Sequence, residues 1–147
     1  MTNNKNFESL DDKELLALAI YGEARGESVD GKLGVGSVIL NRVARGGWFG
    51  ATVKTAILKP WQFSAFNLND PNREKLELIA LKFKDELEKN DILKECYWVA
   101  LGLLGKWVKS NVGAATHYFA NYIETPKWAD KMIFVRNIGR HKFFLEE

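Results

Sequence analysis

One cysteine, two histidines and three prolines in 147 residues narrow the field before any motif is sought. A lone Cys96 excludes an internal disulfide and any cysteine-only metal cluster. With two histidines, a zinc site would need carboxylates to complete it. No metal and no cofactor are therefore expected. Charge of one sign is also scarce. Twenty-one basic against 19 acidic side chains leave +2, whereas a dedicated nucleic-acid binder carries a larger and more segregated positive excess. Nucleic acid is not an expected partner. No stretch approaches the roughly 18 apolar residues that a bilayer span requires, so stable membrane insertion is not expected either. The opening MTNNKNFESLDDKE has no apolar run long enough for a signal-peptide core, and the chain is expected to be made and folded in the cytoplasm. P-loop and dinucleotide fingerprints are missing too, because the GxGS fragment at Gly34 lacks a strand–turn–helix setting.

What is present is the composition of a soluble globular chain, 46% apolar and 27% charged, with enough length for one core. Residues 1–8 are expected to form a flexible arm and 9–147 a single, monomeric domain. Ser9 or Asp11 can cap a helix running through DDKELLALAIYGEARGE, which Gly26 ends or strains. Leu15, Leu18, Ala19 and Gly22 make one stripe of it, and Leu16, Ile20, Glu23 and Glu27 a neighbouring one. The run from Gly31 to Val43 is rich in Val and Ile, as a strand would be. Its small residues Gly34, Ser37 and Asn41 fall at helical spacing, however, and favour a closely packed helix. A short helix over Thr52–Leu58 and a long aromatic and amide-rich loop from Lys59 to Asn72 follow. Amphipathic helices are then expected over Asn72–Lys89 and from Asp91 to Lys106, with Cys96 in the core. Beyond Gly105 the texture becomes aromatic and broken. Thr116–Ala120 and Lys142–Leu145 suit short extended segments, and Lys127–Lys131 a helical turn. The fold class is mostly α, a single domain with a helical core and short extended segments in a loop-rich C-terminal third.

The chemical anomaly is YGEARGE. Glu23 and Glu27 are four residues apart, so on a helix both point to one region. Glu23 shares a stripe with Leu16 and Ile20, at the edge of the apolar face. Desolvation there raises a carboxyl pKa, and an ionised Glu27 would push it the same way. A carboxyl that keeps its proton near neutral pH beside a groove suits glycosidic cleavage, where the leaving oxygen must be protonated. The plainer alternative is a surface pair with Arg25 or Arg42. Trp61, Gln62, Phe63, Tyr118 and Trp128 can line a sugar cleft with rings and amides, or pack the core. Thr116 or His117 at the cleft wall can position glycan or water, and no serine–histidine–acid arrangement is evident.

Several ordered stretches make the chain resemble the cell-wall hydrolase family typified by the catalytic domain of spore-cortex-lytic enzymes, the SleB/CwlJ type. They are LALAIYGEARGESVDGKLGVGSVILNRV at 16–43, TVKTAILKPWQFSAFN at 52–67, GAATHYFAN at 113–121, PKWA at 126–129 and IGRHKFF at 138–144. The resemblance implies a lysozyme-like fold and cleavage of peptidoglycan between N-acetylmuramic acid and N-acetylglucosamine. It favours a lytic transglycosylase; a hydrolytic muramidase with water as acceptor is one alternative, and a non-catalytic peptidoglycan-binding or virion structural domain is another. The family's catalytic glutamate falls on Glu23, and the second of its motif on Glu27. Gln62, Phe63, Ser64, Thr116, His117 and Tyr118 match segments that face or support the groove, and Trp128 joins them as a substrate-binding candidate. The expected substrate is the glycan strand. Without a secretion signal or wall-binding module in the sequence, a phage lysis enzyme dependent on a holin, or a virion component, is expected.

Overall fold

The computed structural model describes residues 4–60 and 62–147. Seven α-helices are found among them: α1 (Lys5–Glu8), α2 (Asp12–Ala24), α3 (Val29–Arg45), α4 (Val53–Leu58), α5 (Asn72–Leu81), α6 (Phe83–Lys89) and α7 (Asp91–Leu104). A small sheet of β1 (His117–Ala120), β2 (Ile133–Ile138) and β3 (His141–Leu145) follows.

Helix α2 begins where Asp11 closes a capping box. The Asp11 carboxylate accepts from the Glu14 N–H at 2.9 Å, and the Glu14 carboxylate accepts from the Asp11 N–H at 3.0 Å. It then runs through the middle of the molecule. Every side chain from Leu15 to Tyr21 is buried, and α7, α3, α4 and α5 pack around it. The two stripes expected from spacing are thus parts of an apolar surface that continues all the way round, as in a central helix.

Helix α3 resolves the competition between β propensity and small-residue spacing. A Cβ at Gly34 would lie 2.8 Å from Cζ of Phe143, and one at Gly36 would lie 2.7 Å from Cδ1 of Leu103. Asn41 donates to the carbonyls of Gly113 and Ala115, both at 2.9 Å. The glycine face therefore brings α3 against the C-terminal third, and packing overrides the preference of Val and Ile for strand. Buried Lys32 ties α3 to α7 through Glu95 at 2.7 Å.

Two expectations need correction. The arm is not free over the described residues 4–8, because Phe7 is fully buried, edge-on to Phe66 at 5.0 Å and beneath the Arg73 guanidinium. Burying such a ring is worth about 1.5–3 kcal/mol, enough to offset the cost of ordering a short turn. The helix expected over Asn72–Lys89 is broken at Lys82, whose φ of −133° and ψ of 44° are not helical. The chain turns there and brings Phe83 to 6.2 Å from the Tyr97 ring.

The sheet has the order β1-β3-β2 and is antiparallel throughout. Tyr118 pairs with Phe143 in register, and Ile138 with His141 across a two-residue connection. Gly139, at φ 54°, takes the first position of that tight turn. One face carries fully buried Phe143 against the helices. The other forms a satellite cluster of Phe119, Phe144 and Ala129, with Trp128 packed on it. Among the described residues no helix is long and apolar enough to cross a membrane.

Gly34→Ala should test the α3–sheet contact. Its methyl group would press on a fully buried ring, so a destabilisation of about 1–3 kcal/mol is expected. Thermal unfolding with an unchanged midpoint would refute the close approach.

Candidate active site

Glu23 lies in the last turn of α2, where buried apolar packing gives way to a groove. Its carboxyl is fixed by two donors from distant parts of the chain. The Tyr118 hydroxyl donates to Oε1 at 2.5 Å, and the Ala65 backbone N–H donates to Oε2 at 3.2 Å. The short turn Ser64–Phe66 aims that N–H, and β1 aims the tyrosine. Burial is the largest influence on Glu23 and pushes its pKa up. The two donors and the charge of Arg42 oppose the rise, while Asp70 adds to it. The net direction is upward. Tyr118 is pushed well above an ordinary phenol by burial and by Glu23, and remains a donor.

Glu27 does not share the helix. Helix α2 ends at Ala24, and Glu27 sits beyond it in the turn before α3. Its carboxylate is tied to the β2–β3 connection: the Arg140 N–H donates to Oε1 and the Arg140 Nε to Oε2, both at 2.9 Å. Burial pushes this carboxyl up, but the Arg140 backbone and guanidinium, together with His141, outweigh it and hold the pKa below the ordinary range. The acid whose charge raises the Glu23 pKa is Asp70, rather than Glu27 as its spacing suggested.

Two depressions flank the Glu23–Tyr118 pair. One, of about 330 Å³, is lined by Glu23, Arg25, Glu27, Asn72, Tyr122 and Arg140 among others. The second, of about 380 Å³, is lined by Arg42, Trp48, Gln62, His117, Tyr118 and Trp128. Gln62, His117, Tyr118 and Trp128 thus meet at the groove. His117 lies between the rings of Phe49 and Trp128, and burial followed by the Arg42 charge lowers its pKa to about 4, leaving a neutral imidazole.

Three candidates have other positions. Phe63 is buried, with the Arg42 guanidinium 4.9 Å from its ring centroid, and packs rather than lines. Thr116 is fully buried; its carbonyl accepts from Arg42 Nε at 2.7 Å and its hydroxyl from the Glu146 N–H. Ser64 is exposed, and the group of its segment that reaches Glu23 is the neighbouring Ala65 N–H. Trp61 lies outside the described residues. Sequence alone could not point to Ala65, because a backbone donor has no side-chain signature. The Arg140 clamp was equally hidden, although Gly139-Arg140 between two apolar runs carries the signal of a tight hairpin.

A family model described as cell wall hydrolase matches residues 26–144. The chain belongs to the cell wall hydrolase family. Spore cortex-lytic enzymes of Oceanobacillus iheyensis and Bacillus cereus are 33% and 32% identical to it over 135 and 142 residues, or 92% and 97% of this chain. It spans 42% and 47% of the length of those two enzymes. The solved catalytic domain of the germination-specific lytic transglycosylase SleB from Bacillus anthracis is similar in fold and size, with a TM-score of 0.62 and 27% identity. The match covers 97% of this chain and 96% of that one. The family match begins after Glu23, so the placement of Glu23 rests on the EARGE resemblance and on its own geometry.

Two expectations follow for this cell wall hydrolase. Tyr118→Phe removes a donor that lowers the Glu23 pKa, so the alkaline limb of the activity profile should move to higher pH as total activity falls. A limb that stays in place would show that Glu23 does not set it. Arg140→Gln keeps the backbone N–H donor to Glu27 but removes the guanidinium's hydrogen bond and charge from that carboxylate. The folded pKa of Glu27 lies below its unfolded value, so its contribution is complete above the unfolded value and is lost as pH falls through the folded one. The variant should lose about 1 kcal/mol at neutral pH, given the exposure of Arg140, and converge with the parent in acid. Parallel stability curves at all pH values would contradict this.

Proposed function

We propose that the chain cleaves peptidoglycan glycan strands between N-acetylmuramic acid and N-acetylglucosamine as a lytic transglycosylase, with Glu23 acting first as acid and then as base. The observation that carries the proposal is a desolvated Glu23 carboxyl, raised in pKa and held by Tyr118 and Ala65 at the wall of a groove. Glu23 transfers its proton to the glycosidic oxygen as the bond from muramic C1 breaks, and positive charge spreads over C1 and the ring oxygen. The remaining carboxylate is stabilised by the Tyr118 hydroxyl and the Ala65 N–H. It then takes the proton of the muramic 6-hydroxyl as that oxygen bonds to C1. The products are an anhydro-muramic end and a free N-acetylglucosamine 4-hydroxyl, and Glu23 is protonated again. This cycle needs only one catalytic carboxylate, and Glu27 is engaged with Arg140. The similarity to a lytic transglycosylase catalytic domain supports the same route.

Hydrolysis is the second reading, and Asp70 is the observation that favours it. Its charge bears on Glu23 and its side chain accepts from the Asn72 N–H at 2.8 Å, which supports a role in assisting a water. Muropeptide mass spectrometry separates the two: anhydro-muramic ends indicate transglycosylation, and reducing ends, lost with Asp70→Asn, indicate hydrolysis.

Glu23→Gln should reduce wall lysis by about 10²–10⁴-fold while the fold survives. Its effect on stability has a definite sign. The raised folded pKa means that the native chain holds a proton the unfolded chain releases, so wild-type stability falls as pH rises from the unfolded to the folded value. Glutamine removes that cost, and the variant should be at least as stable as wild type at neutral pH. Retained turnover would exclude Glu23 from the central role.

A further inference from the structure

We propose that Trp48 carries the glycan strand over the rim of the catalytic groove into a second saccharide-binding cavity beside α4. The inference rests on the glycan-cleaving function proposed above and adds a site remote from the bond that breaks. Trp48 lines the 380 Å³ depression next to Tyr118 and also a larger one of about 620 Å³, bounded by Lys54, Thr55, Leu58 and Lys59. Trp48 is the residue that the two linings share, so a polymer leaving the groove towards α4 passes it.

The segment around the ring is built to hold it outwards. Gly46, Gly47 and Gly50 have φ values of 62°, 55° and 99°, so three left-handed positions fall within five residues. A Cβ at Gly50 would stand 2.9 Å from Oγ1 of Thr55 and 3.0 Å from the backbone nitrogen of Ala56, so the loop lies directly on the start of α4. Trp48 remains 69% exposed, yet it is not loose. Phe49 meets it edge-on at 5.6 Å, and the Lys59 ammonium stands over the ring 4.0 Å from its centroid and donates to the Trp48 carbonyl. The lysine stands over one face, and most of the residue's surface remains open to solvent. A rigid, solvent-facing aromatic surface suits the apolar face of a pyranose, because little rotamer freedom is lost when it binds. The cavity beyond has the size of a ligand site, and the Lys54 and Lys59 ammonium groups supply donors to sugar oxygens or to stem-peptide carboxylates.

The test compares long glycan strands with the shortest fragment that the wild-type chain cleaves, using Trp48→Ala and Trp48→Phe. The ratio of kcat/KM on long strands to that on the short fragment should fall about tenfold in the alanine variant, through KM, and recover in the phenylalanine variant. An unchanged ratio would overturn the proposal. Binding provides a readout independent of turnover. In the Glu23→Gln background, Trp48→Ala should weaken co-sedimentation with insoluble peptidoglycan by a similar factor, and equal binding would also overturn it. If wild type cleaves nothing while the binding difference persists, the cleavage proposal fails and the Trp48 site stands.

Discussion

A carboxyl group withdrawn from water at the end of a buried helix is the constraint around which the site is organised. Helix α2 puts Glu23 at the boundary between core and groove, and desolvation gives it an affinity for its proton that an exposed glutamate lacks. The donors from Tyr118 and Ala65 oppose that effect in part. They do not cancel it, and they offer the conjugate base somewhere to rest once the proton has gone. A fully apolar pocket would hold the proton too tightly to release it, and a wet one would not hold it at all.

Keeping the donors in place requires joining parts of the chain that are far apart in sequence, and Arg42 does most of this. Its Nε is bonded to the Thr116 carbonyl beside β1, its Nη1 to the Gln62 side chain before the Ala65 turn, and its plane lies near the rings of Phe49 and Phe63. One buried cation thus positions both segments that reach Glu23. Burial pulls its pKa down, while Tyr118 and Glu23 pull it up. On the other flank, Glu27 and Arg140 fasten the turn after helix α2 to the β2–β3 connection.

The helical part of this arrangement was legible because local signals agreed. The Asp11–Glu14 capping box, the small-residue spacing of Gly34 and Ser37, and the Leu- and Ala-rich run before Glu23 all pointed to helices that exist. Glu23 stood out as a carboxylate in apolar company. What spacing could not convey was where helix α2 stops. The four-residue interval to Glu27 suggested a carboxylate pair, but the helix ends after one further residue and the second acid turns to Arg140. The strand Ile133–Ile138 escaped notice, since its exposed apolar run lacks clean alternation and gains its partner only through the sheet. Phe63, Thr116 and Ser64 sit in segments that shape the groove, yet their contributions come through packing or through backbone atoms, which residue type does not disclose.

The enclosure of α2 on every side also governs how the enzyme can fail. Amide protons from Leu15 to Tyr21 lie in the innermost layer, where hydrogen exchange requires the whole domain to open rather than one end to fray. Glu23 follows directly on that layer, in the last turn of the same helix. Loss of the groove on heating is therefore expected to accompany the cooperative melting of the molecule.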